Sequence, residues 1–118
     1  MGALEEFREA AGEIMSEITP WSSTNDLVRL TKQMYELKAR FFPLITLHEI
    51  CDNNLMKDEY CPLCRRFIHS DVSCPLVGKV CYGACCDEWR VIRRLLNTEN
   101  RELWDERFQA LKDVIDKL

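Results

Sequence analysis

The chain has 118 residues, 47% of them hydrophobic and 31% charged, with a formal net charge of −4. This composition suits a single soluble domain and excludes a disordered chain. Glu5, Glu6, Glu9 and Glu13 occupy the place of the basic and apolar regions of an export signal, and no apolar run approaches the roughly 18–20 residues of a membrane span. The expected setting is the cytoplasm, away from membranes, where thiols stay reduced.

From the N-terminus, Leu4, Phe7, Ala11, Ile14 and Ile18 recur at helical spacing, and Thr19-Pro20 closes the segment, which predicts a helix over 3–18. Ser22-Ser23-Thr24-Asn25-Asp26 is rich in N-cap types, and Ser23 with Asp26 forms a capping box with the shorter acid. A second helix follows with the stripe Leu27, Leu30, Met34, Leu37 and Phe41. The stripe covers about two heptads, too short for a coiled coil, so packing within a bundle is expected over a dimer seam. Pro43 predicts a kink or a new helix, with Leu44, Leu47, Cys51 and Leu55 on one face up to the turn at Asp52-Asn53-Asn54 or slightly beyond.

Residues 58–86 show no periodicity and hold Cys61, Cys64, Cys74, Cys81, Cys85 and Cys86, six of the seven cysteines. They predict a loop-rich segment between two helical parts, 1–57 and 87–118, of one domain. Asp87 is a fitting N-cap for a helix through Trp89, Ile92 and Leu96. After a break at Asn97-Thr98, a last helix is expected from about Glu99, with Trp104, Phe108, Leu111, Ile115 and Leu118 inward. No strand alternation occurs. The expected fold is all-α, a small bundle of four to five helices with a Cys-rich, metal-stabilised loop inserted at about 58–86.

Cys61-Pro62-Leu63-Cys64 carries the chemistry. Two thiols separated by two residues can face one centre, and backbone N–H groups near the Pro can hydrogen-bond the sulfurs. That is half of a tetrahedral thiolate site. Cys74 and Cys81 are next in order and complete a four-thiolate set, with Cys85 or Cys86 as alternative ligands. Zinc is the expected metal, in a structural zinc knuckle; an iron–sulfur cluster uses the same donors and is the alternative. A redox-active Cys61–Cys64 pair is disfavoured because the chain offers no strands for a thioredoxin-like unit. Thiols acting only as small core groups are the plain alternative.

His69 lies near enough in sequence to replace a thiolate, but the cysteines are preferred. His48 is expected at the core edge with a backbone partner, and Cys51 in the core. Trp21, Trp89 and Trp104 are expected in or beside the core. No nucleophile–base set, phosphate loop or deaminase signature is present, so catalysis is not expected.

Charge is unevenly spread. Residues 1–60 carry 6 Lys/Arg against 11 Asp/Glu, residues 61–94 carry 6 against 3, and residues 95–118 carry 4 against 6. Arg65, Arg66, Lys79, Arg90, Arg93 and Arg94 form a candidate basic surface for an anionic partner. A nucleic-acid-binding adaptor is therefore a further alternative, although it is not favoured over ion pairing of these arginines with the acidic flanks.

The run Cys61-Pro-Leu-Cys64-Arg-Arg-Phe67, then Cys74-Pro-Leu76, Gly78, Cys81-Tyr-Gly83 and Trp89 resembles small cysteine-rich proteins of bacteriophages, bacteria and archaea. Asp71 departs from their pattern, standing where a second Cys-x-x-Cys unit would begin. The resemblance implies a metal-binding helical protein and no particular activity.

Overall fold

The computed structural model describes residues 2–56, 58–67, 94–95 and 100–118. Among these residues there are five α-helices and two 3-10 turns, and no strand, so the all-α expectation holds for the described part.

Helix α1 spans Ala3–Ser16 and buries Phe7 and Ala11, with Glu5 and Glu6 in its first turn opposing the helix dipole. It ends two residues earlier than the periodicity predicts, and Ile18 N–H closes the last turn onto the Met15 carbonyl at 3.2 Å.

Helix α2, Thr24–Phe41, begins at the expected capping box. Asp26 N–H donates to Ser23 Oγ at 3.1 Å, and Ser23 N–H donates back to Asp26 Oδ2 at 3.3 Å. Its inward face is Leu27, Leu30, Thr31, Met34, Tyr35 and Lys38, while Leu37 and Phe41 lie at the core's edge. The predicted stripe steps at 3.5 residues per turn, whereas a straight helix turns at 3.6, so the inward position drifts along the helix toward Tyr35 and Lys38. A wide face is needed because α2 is central and packs against α1, the first 3-10 turn and two later helices. Lys38 lies wholly within the core, its Nζ 4.3 Å from the Tyr35 ring centroid.

Pro43 ends α2 in a 3-10 turn, Phe42–Leu44. Leu44 does not continue an inward helical face; it is 70% exposed, and Phe42 and Ile45 point inward instead. Helix α3 is only Leu47–Asp52 and has its own capping box, in which Glu49 N–H donates to Thr46 Oγ1 and Thr46 N–H to Glu49 Oε1. It closes in a Schellman motif. Asn54 takes the left-handed conformation (φ 54°), with its N–H on Cys51 O and Leu55 N–H on Ile50 O, both 3.1 Å. Ile50 and Leu55 are both fully buried, the apolar contact that accompanies this cap.

A second 3-10 turn, Asp58–Tyr60, leads into helix α4, Pro62–Phe67. The loop expected from residue 58 is thus helical over its first described residues. Residues 68–86, and the helix expected after Asp87 apart from Arg94 and Leu95, lie outside the described residues.

Helix α5, Arg101–Asp116, is capped by Asn100, whose side-chain oxygen accepts Leu103 N–H at 3.1 Å. Its inward residues are Trp104, Phe108, Leu111, Lys112 and Ile115. The core is an aromatic cluster centred on Phe42, whose ring lies 5.3 Å from Phe7, 5.4 Å from Phe108 and 5.8 Å from Trp104. Trp104 and Phe108 stack at 5.2 Å. Arg101 donates to the carbonyls of Phe42 and Ile45 and lies 5.4 Å from the Trp104 ring, fixing the start of α5 over the first 3-10 turn.

Lys112 joins α5 to α2, its ammonium 2.7 Å from both Asp116 and Glu36. The hydrogen bond to Asp116, then that to Glu36, raise its pKa above the ordinary 10.5, against the opposing effect of burial. A raised lysine pKa stabilises the fold wherever the amine is charged in both states, and that contribution disappears as pH rises through the folded value. The stability gap between wild type and Lys112→Met is therefore expected to be about 1 kcal/mol near neutrality. It should hold steady up to about pH 10 and shrink above it, as read from urea titrations at stepped pH.

Candidate metal centre

Cys61 immediately precedes α4, and the first turn of that helix carries the rest of the Cys-x-x-Cys sequence. Pro62 suits the first helical position because its missing N–H would be unbonded there in any case. Arg65 N–H closes the turn on Cys61 O at 2.8 Å. Cys61 is 3% exposed and Leu63 is fully buried, both in the same core as Phe7, Phe42 and Trp104. The backbone thus sets Cys64 three residues along one helical turn from Cys61.

Two anchors hold this turn. Leu63 N–H donates to Thr31 Oγ1 at 3.1 Å, and Thr31 O–H donates to the Leu27 carbonyl at 2.7 Å. At the other end of α4, Arg66 donates to the Ser22 carbonyl at 3.0 Å and the Thr19 carbonyl at 2.6 Å, gripping the turn between α1 and α2. Pro62 has no N–H, and that of Leu63 goes to Thr31.

Cys74, Cys81, Cys85, Cys86 and His69 lie outside the described residues, as do Lys79, Arg90 and Arg93. Among the described residues no three metal-ligating side chains come together, and of the expected ligands only Cys61 and Cys64 fall within them. Two cysteines at this spacing fit a tetrahedral thiolate site by donor type and sequence separation. Cys51 is half-buried on α3 and packs against the edge of the core.

His48 is not at the core edge. Its side chain is 86% exposed, with Nε2 3.0 Å from Asp52 Oδ2. Helix α3 starts at Leu47 and turns Leu47 and Ile50 inward, which leaves positions 48 and 52 on the solvent side. Trp21 also departs from expectation, at 90% exposed in the α1–α2 turn. That turn is internally bonded: Trp21 N–H donates to Thr19 Oγ1, and Thr19 N–H to Ser22 Oγ.

The basic surface is only partly present among the described residues. Arg65 and Arg94 are exposed, whereas the Arg66 guanidinium bonds the two carbonyls already named. Arg65 lines a surface groove with Met15, Ile18 and Glu59, so the sign there is mixed. No helix among the described residues is long and apolar enough to cross a membrane.

No family model, curated protein or solved structure matches the chain.

Proposed function

We propose that the chain is a zinc-binding helical protein with a structural or accessory binding role. Cys61 and Cys64 supply two thiolates, and Cys74 and Cys81, with Cys85 or Cys86 as substitutes, supply the rest. Zinc would fix the segment after α4 against the helical core and let it present a surface to a partner. The role is binding, not catalysis, in a compartment that keeps thiols reduced. The observation that supports this most is the seating of residues 61–64 in a helical turn anchored to α2 by the Leu63 N–H on Thr31 Oγ1.

Elemental analysis of protein purified anaerobically tests the proposal. One zinc per chain is the expected result. Iron with visible absorption would replace zinc by an iron–sulfur cluster. Protein that holds neither metal after reconstitution under reducing conditions would overturn the reading.

A further inference from the structure

Thr31 lies far from the cysteine segment in sequence, on the central helix, and the motif does not single it out. The start of a helix leaves its first amides without intrahelical acceptors. In α4 the Pro62 position has no N–H. The next amide, that of Leu63, belongs to a fully buried residue and needs an acceptor inside the protein. Thr31 Oγ1 is that acceptor, at 3.1 Å across 32 residues of sequence. Thr31 is itself fully buried, and its own proton is given to Leu27 O at 2.7 Å. This fixes the hydroxyl so that a lone pair remains for Leu63. The chain Leu63 N–H to Thr31 Oγ1 to Leu27 O therefore pins the peptide in the middle of Cys61-Pro62-Leu63-Cys64 to the backbone of α2.

We propose that Thr31 is a positioning residue for metal binding: through Leu63 it holds the Cys61–Cys64 turn in its ligating arrangement before metal arrives. This rests on the zinc reading above. The apparent affinity of a ligand falls with the fraction of protein in the competent conformation, so loosening the turn weakens zinc even where the whole chain stays folded. Partners one shell beyond the ligands typically matter by about 10–100-fold in metal affinity.

The test is zinc affinity by competition with a chromophoric chelator, at a temperature where every variant is fully folded. Three variants are compared with wild type. Thr31→Val keeps the shape and removes the acceptor, Thr31→Ser keeps the acceptor, and Thr46→Ala removes the α3 cap and lowers stability elsewhere. Thr31→Val is expected to bind zinc about ten-fold more weakly or worse, and to alter the d–d bands of the cobalt-substituted protein. Thr31→Ser and Thr46→Ala are expected to stay within about two-fold of wild type, well inside that effect.

Wild-type affinity in Thr31→Val, or an equal loss in Thr46→Ala, overturns the inference and leaves the zinc reading standing. If Thr31→Val does not fold, Thr31→Ser decides, since a ten-fold loss with the acceptor retained also overturns it. A wild-type chain that binds no zinc overturns the zinc reading itself, and the role of Thr31 with it.

Discussion

Phe42→Ala is expected to lower the unfolding free energy by about 3–5 kcal/mol, a large share of the roughly 5–15 kcal/mol that holds a small domain together. Phe42 is 1% exposed and touches rings from two helices, Phe7 of α1 and both Trp104 and Phe108 of α5. Deleting it opens a cavity where those helices meet, and rings wedged by one another cannot collapse into the space. Its neighbour Phe41 is half-buried with one edge-on contact, to Phe7 at 6.2 Å, so Phe41→Ala is expected to cost only about 1 kcal/mol. Urea unfolding followed by circular dichroism measures both, with the midpoint shifting and the slope unchanged. Equal losses for the two variants would mean that the aromatic cluster is not centred on Phe42.

Cys61→Ser is expected to reduce bound zinc to background while the bundle stays folded, and Cys51→Ser to leave zinc content unchanged. A serine hydroxyl is a far poorer zinc ligand than a thiolate, so the ligand change acts directly on the metal. The substitution also places a hydroxyl where a nearly buried thiol packs against apolar groups, which costs about 1–3 kcal/mol if the hydroxyl lacks a partner. The caps at Ser23, Thr46 and Asn100 do not involve Cys61, so the helices they start remain capped. Zinc content and far-ultraviolet circular dichroism on the same samples separate the two effects. Full zinc in Cys61→Ser would remove Cys61 from the ligand set.

The long helices were legible because they carry both kinds of signal, a periodic apolar face and a cap. Ser23 with Asp26 marked the start of α2 correctly, and Phe7, Ala11, Trp104, Phe108 and Ile115 were recognisable by spacing. Helix α4 was not legible as a helix, because six residues are less than two turns and show no period. Pro62 also reads equally as a turn former or a first helical residue. The helical face after Pro43 was legible at Leu47, but the start of α3 is set by the capping box of Thr46 with Glu49, and the short helix leaves His48 outside. Trp21 has the composition of a core residue. Its exposure follows from a turn whose polar groups bond to one another and to Arg66, leaving the indole outside. Half of the candidate site, Cys61 and Cys64, was legible as a pair of thiols. Its anchoring by Thr31 was not, because a bond across 32 residues leaves no trace in local pattern.

The Arg66 bonds to the α1–α2 turn bear on how the protein assembles. They span 44 and 47 residues, whereas the turn itself closes between neighbouring helices. A helical hairpin of this kind forms quickly from local contacts, but its exposed carbonyls are completed only when α4 docks. Contacts made after the folding barrier leave the folding rate nearly unchanged and slow the reverse step. Arg66→Ala is accordingly expected to speed unfolding more than it slows folding.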